Sequence, residues 1–209
     1  MCFFTAVRET KQGYESTFGV NHLGHFYLTL LLLPKLRHSA PARVVVVSSG
    51  SHKDHGLPKG KSADFYLDNL VPKLSEANGM MTSYKLYAKS KLCNVLFAFA
   101  LTRKELGKVY ANALHPGAMI ATDISRDSRL ARAVMFLAKP FTKSLEQGAA
   151  TTVFCAAAPE LEYVGGKYFD NCWLAEVDPL AANQELQDKL WEESEKIVKK
   201  FDEDLLRDS

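Results

Sequence analysis

Residues 83–99 read SYKLYAKSKLCNVLFAF and set Tyr87 and Lys91 four positions apart. In a helix that spacing puts both side chains on one face, where a phenol and an ammonium can act together. The spacing alone is weak, because a chain with 8 tyrosines and many lysines produces such a pair by chance. Tyr163 and Lys167 match it too, but Gly165-Gly166 divides them and reads as a turn before a strand. Tyr87 has context that Tyr163 lacks. Residues 43–49, RVVVVSS, form an apolar strand ending in Ser48 and Ser49, and residues 20–28, VNHLGHFYL, place Asn21 on an earlier helix.

Working outward, apolar residues at Phe18, Leu23, Phe26 and Leu30 predict a helix over 13–37, closed by the breaker His38-Ser39-Ala40-Pro41. Val44 to Val47 is β-branched without alternation, the composition of a strand covered on both faces in a parallel sheet. Residues 50–82 form a long polar connection with a short helix near 64–70. A helix over 83–106 leads to a strand over 110–114 and the turn His115-Pro116-Gly117. Helices follow at 126–138 and 144–157, then a strand at 167–170. Asp178-Pro179 opens a last helix, with Leu186, Leu190, Trp191, Ile197 and Phe201 as its apolar stripe. Alternating strands and helices predict an α/β fold with a doubly wound parallel sheet.

The 209 residues suit one domain, and 47% hydrophobic content is ample for a core. A formal charge of +2, with basic and acidic residues interleaved, argues against nucleic acid or an acidic membrane as partner. The longest apolar run, near 26–33, stops at Pro34 and is too short to span a bilayer. With no basic, apolar leader at the start, a soluble cytoplasmic protein is expected. The 4 cysteines form no CxxC pair and read as free thiols. His22 with His25, and His52 with His55, have no carboxylate or thiolate at recognisable spacing, so no metal is expected. GLPKGKS at 56–62 approaches a phosphate loop but has three residues between its glycines where four are needed, so it reads as a flexible basic loop.

The order Asn on a helix, Ser at a strand end, then Tyr and Lys on a helix resembles the catalytic tetrad of the short-chain dehydrogenase/reductases. FGVNHLGHFYL (18–28), SAPARVVVVSS (39–49), YAKSKLCNVLF (87–97), NALHPG (112–117), KPFTKSLEQGAATTVFCAAAPELE (139–162) and GGKYFDNC (165–172) carry the likeness along the chain. Within the family it is most similar to the oxidoreductase domains that accompany WW modules, with the retinol dehydrogenases next. The resemblance implies a Rossmann-like fold. The glycine-rich TGxxxGxG turn and the Asn-Asn-Ala-Gly segment of such domains are not in the sequence, so residues 1–209 are expected to be the C-terminal part of the doubly wound sheet, lacking the strands that seat the dinucleotide pyrophosphate.

The resemblance also implies a chemistry: hydride transfer between NAD or NADP and a lipophilic alcohol or carbonyl, steroid-like or retinoid-like. Tyr87 would be the acid/base, although a free tyrosine titrates near 10, and the Lys91 ammonium would bring its phenolate into range while holding the nicotinamide ribose. Ser49 would hydrogen-bond the substrate oxygen, and Asn21 would hold helix geometry and a relaying water. Pro116 and Gly117 would meet the nicotinamide amide with their backbone, with Ile120 and Thr122 nearby. A second reading is a non-catalytic interaction or regulatory protein, since no seat for the pyrophosphate is recognisable. Its partners would be other proteins or a second copy of the chain, drawn to the open edge beside residues 44–47 unless residues 1–7 fold back over it.

Overall fold

The computed structural model describes residues 9–71, 79–117 and 144–207. The expected helix at 126–138, Ile120, Thr122 and the proposed makeshift strand at 1–7 lie outside the described residues.

The first helix, α1, begins with a short α-turn, Ser16–Phe18, runs through a π-helical turn, Gly19–Leu23, and continues as regular α-helix, Gly24–His38. Its start is capped by Glu15, whose buried carboxylate accepts from Thr17 N at 2.7 Å and Phe18 N at 2.8 Å. Strand β1 (Ala42–Val47) follows, then a 3-10 turn at Gly50–Lys53 and helix α2 (Ala63–Leu70). Ser62 caps α2 through Phe65 N. Tyr66 ties down the preceding loop by donating to Pro58 O and accepting from Lys61 N, each at 3.0 Å. GLPKGKS is therefore a helix entry braced by a tyrosine.

Helix α3 (Met80–Lys104) leads to β2 (Val109–His115); α4 (Leu145–Ala157), β3 (Tyr168–Asp170), β4 (Trp173–Leu174) and α5 (Gln184–Arg207) complete the described elements. The sheet order is β1-β2-β3-β4. The first three strands are parallel, in register Val47 to Leu114 and His115 to Asp170, and β4 is antiparallel to β3.

Side-chain alternation divides the core between the two faces of the sheet. Val44, Val46, Val109, Ala111, Ala113 and Tyr168 pack with the buried residues of α1, α3 and α5. Val45, Leu114 and Phe169 pack on the other side with Phe154 and Cys155 of α4. Helix α3 is apolar nearly all round from Leu92 to Leu101, as suits a helix enclosed by its neighbours. At the centre Phe26, Phe97 and Trp191 join α1, α3 and α5, with ring centroids 5.0 to 6.0 Å apart.

Several expectations need correction. The strand 44–47 is not fully covered, since Val47 at its end is exposed. Asp178 caps a 3-10 turn, Pro179–Ala182, and the last α-helix begins only at Gln184. Tyr163 and Lys167 stand in irregular backbone before β3, as Gly165-Gly166 suggested. A Cβ on Gly165 would come within 2.7 Å of Thr102, which explains the glycine. Among the described residues no helix is long and apolar enough to cross a membrane.

Candidate active site

The three parallel strands deliver their carboxyl ends to one side of the sheet, where open α/β folds bind ligands. Ser48 and Ser49 leave β1 there, and His115, Pro116 and Gly117 end β2. The two ends are adjacent: Ser48 N donates to Leu114 O at 2.8 Å, and a Cβ at Gly50 would stand 3.6 Å from the His115 ring. Gly117 takes φ 106°, a backbone conformation open chiefly to glycine.

Helix α3 lies across this end and brings Tyr87 and Lys91 to it. Ser48 Oγ donates to Lys91 O at 2.7 Å, so strand end and helix are bonded directly. Lys91 Nζ stands 5.6 Å from the centroid of the Tyr87 ring and donates to Val47 O at 3.1 Å. The same carbonyl accepts from Asn94 Nδ2 at 3.3 Å. Burial lowers the Lys91 ammonium from its ordinary value to about 8, which leaves it charged at neutral pH but close to titrating. Tyr87 is half-buried and lies within electrostatic reach of Tyr168, whose hydroxyl is pushed up first by burial and then by Asp170 and Tyr87.

Asn21 sits in the π-helical turn of α1, and its Nδ2 donates to Ser90 Oγ at 3.0 Å. Ser90 Oγ in turn donates to Tyr87 O at 2.7 Å. Ser49 is extended and nearly buried; its Oγ accepts from Ser51 N at 3.2 Å and caps the 3-10 turn. Asn21, Ser49, Tyr87 and Lys91 are thus gathered around the α3 and β1 ends, with Pro116 and Gly117 beside them. Sequence reasoning missed Ser90 and Asn94, which lock this arrangement. The signal for Ser90 was its place directly before Lys91 in YAKSK.

The histidine pairs have other duties. His22 is enclosed by Phe18, Phe26 and Phe97 and shares a hydrogen bond with Ser194 Oγ at 2.9 Å. His52 Nε2 accepts from Asp178 N at 3.2 Å, and His55 Nδ1 accepts from Leu57 N at 2.9 Å. Among the described residues no group of His, Cys, Asp or Glu could hold a metal ion. The described residues do fit the nicotinamide-ribose end of a dinucleotide: Lys91 offers N–H donors beyond the one on Val47 O, beside a phenol and a glycine-opened strand end.

No family profile matches the chain. Individual proteins do. The WW domain-containing oxidoreductase of Pongo abelii is 48% identical over 192 residues, which are 90% of this chain and 45% of that protein. Retinol dehydrogenase 12 of Mus musculus is 40% identical over 184 residues, 88% of this chain and 54% of its own. The chain therefore spans about half the length of these relatives. The crystal structure of an uncharacterized protein from Mycobacterium paratuberculosis superposes with a TM-score of 0.67 at 26% identity, over 95% of this chain and 64% of the other. With the same fold, and with relatives at this identity along nearly all of its residues, the chain belongs to the short-chain dehydrogenase/reductase family.

Proposed function

We propose that the chain carries the reaction centre of an NAD(P)-dependent oxidoreductase acting on a lipophilic alcohol or carbonyl, retinoid-like or steroid-like. The observation that carries this reading is the placement of the Lys91 ammonium beside the Tyr87 ring at the carboxyl end of the parallel sheet. The relatives named for retinol dehydrogenation favour a lipophilic substrate.

A bound nicotinamide would supply or accept the hydride. The proton is the task of Tyr87, whose hydroxyl gives it to a carbonyl oxygen or takes it from an alcohol. The charge on Lys91 favours the phenolate, so the transfer runs near neutral pH. Lys91 also holds the ribose hydroxyls with its remaining donors. Ser49 donates to the substrate oxygen as negative charge grows there. Asn21, through Ser90, fixes the turn of α3 that presents Tyr87. Pro116 and Gly117 offer backbone to the carboxamide, with Ile120 and Thr122 assigned beside them from the sequence.

A second reading, an interaction protein without turnover, is favoured by the outer edge of β1, which pairs with no strand among the described residues. The two separate experimentally. The chain is titrated calorimetrically with NADH and NADPH, and turnover is followed with all-trans-retinal as probe. The enzyme reading expects Tyr87→Phe to remove nearly all turnover with cofactor affinity unchanged within about threefold, and Lys91→Ala to reduce both. A Tyr87→Phe variant that kept most of its rate would overturn the assignment, and a chain that neither binds cofactor nor turns over would favour the second reading.

A further inference from the structure

The segment that leaves Ser49 is held by one side chain with both ring nitrogens committed. His52 Nδ1 lies 2.7 Å from Ser49 O, and Asp178 N lies 3.2 Å from His52 Nε2. A carbonyl can only accept and a backbone N–H can only donate, so the proton sits on Nδ1 and Nε2 is bare. The ring is fully buried and tilts against Tyr168 at a centroid distance of 4.7 Å. Asp178 is fixed in turn: its Oδ1 accepts from Leu180 N at 2.8 Å, and its Oδ2 lies 3.2 Å from His55 Nε2. His52 thus joins the Ser49 turn to the segment entering the C-terminal helix.

We propose that His52 is a positioning residue for Ser49, its Nδ1–H holding the serine's carbonyl so that the hydroxyl is presented at the end of β1 in one orientation. Two N–H groups converge on Ser49 O, from His52 N at 3.1 Å and from the ring at 2.7 Å. They hold Ser49 extended, at φ −160° and ψ 153°, while its Oγ receives Ser51 N. Loss of the ring bond frees the peptide after Ser49 to turn, and the hydroxyl turns with it. The inference rests on the proposed function only for what Ser49 does there.

Two amides separate the two bonds. His52→Asn places an N–H near the Nδ1 position but does not reach Asp178; His52→Gln reaches the Nε2 position with its oxygen and leaves Ser49 O without the ring donor. Both variants are made in the full chain. Amide hydrogen exchange at Ser51 and His52 is read alongside thermal stability, and turnover with all-trans-retinal is read where wild type has it. His52→Asn is expected to keep wild-type exchange at these amides and a kcat within about threefold. His52→Gln, at similar thermal stability, is expected to exchange about tenfold faster there and to lose about tenfold in kcat with the cofactor KM unmoved. Equal behaviour of the two variants, or a His52→Gln that exchanges faster yet turns over normally, would overturn the proposal. Should wild type show no turnover, the oxidoreductase reading fails on that account, and the exchange contrast still decides whether His52 holds Ser49.

Discussion

The side-chain amide of Asn21 donates to Ser90 Oγ at 3.0 Å and so couples the π-helical turn of α1 to the helix that carries Tyr87. Both groups are buried. Ser90→Ala removes this acceptor and the hydroxyl that donates to Tyr87 O, at a cost of about 0.5–1.5 kcal/mol for each hydrogen bond lost. Urea denaturation is expected to show the loss as a lower midpoint at unchanged m-value. A cost near zero would show that the amide has other adequate partners and that the Asn21–Ser90 bond does not hold α3.

The elements that carry Tyr87, Lys91 and the serines after β1 were legible because an apolar strand and a helix with periodic burial are strongly patterned, while their grouping with Asn21 was expected from the family resemblance. The helix expected at 144–157 is present as α4, opened by a capping box of Ser144 with Gln147. What was illegible depended on tertiary contact. The π-helical turn at Gly19–Leu23 has no sequence period of its own. Strand β4 is two residues long, and Trp173 and Leu174 are both exposed, so no burial pattern marks it. Its turn uses Asn171 and Cys172 at φ 52° and 66°, where glycine would have advertised a hairpin. His52 read as a loop histidine because its partner, Asp178, is remote in sequence.

Lys91 stands in a position that costs stability. Its ammonium is brought to about 8 by burial, well below the free lysine value, so the folded state carries it at a penalty below pH 8. Between pH 8 and about 10.4 the unfolded chain binds the proton that the folded chain has released, and stability from this group rises with pH. Lys91→Met is therefore expected to stabilise the chain at pH 7 by about 1–2 kcal/mol, after discounting for partial hydration. The gain should fade across that same window. Asn94 keeps one donor on Val47 O in the variant. Thermal melts of both proteins from neutral to alkaline pH check this, and a variant that is less stable at pH 7 would refute it.

His22 works at the acid end. Burial lowers it to about 3, against a weaker opposing pull from the Asn94 side chain, so the folded chain stays unprotonated there while the unfolded chain takes up a proton below about pH 6.5. The stability this contributes is complete above that pH and is lost as the pH falls toward 3. His22→Gln, which can still reach Ser194, is expected to flatten the dependence between about pH 6 and 4 by close to one proton. His52 and His25, also lowered chiefly by burial, leave a residual slope in the variant. Denaturant midpoints across this range measure it, and parallel curves for the two proteins would exclude His22 as a contributor.

The outer edge of β1 leads to a prediction about association. Among the described residues β1 pairs only with β2, so half of its backbone donors and acceptors face outward. An apolar strand in that state is a template for another chain. Val47 at its end is exposed, and so are Leu28, Leu31 and Leu32 on α1, the helix that packs beside the strand. Single exposed leucines are ordinary, and it is the open strand edge that favours a second copy. The 209-residue chain, expressed alone, is therefore expected to self-associate, with light scattering across a dilution series giving a mass that rises with concentration. Leu31→Lys with Val47→Lys places one charge on α1 and one at the end of the open strand without entering the core, and should shift the curve toward monomer. Hydrogen exchange at Val44 to Val47 supplies the second reading: their amides should gain protection as the wild-type chain associates and show no such gain in the double variant. A wild-type chain that remains a monodisperse monomer at every concentration would show that the edge does not recruit a second copy.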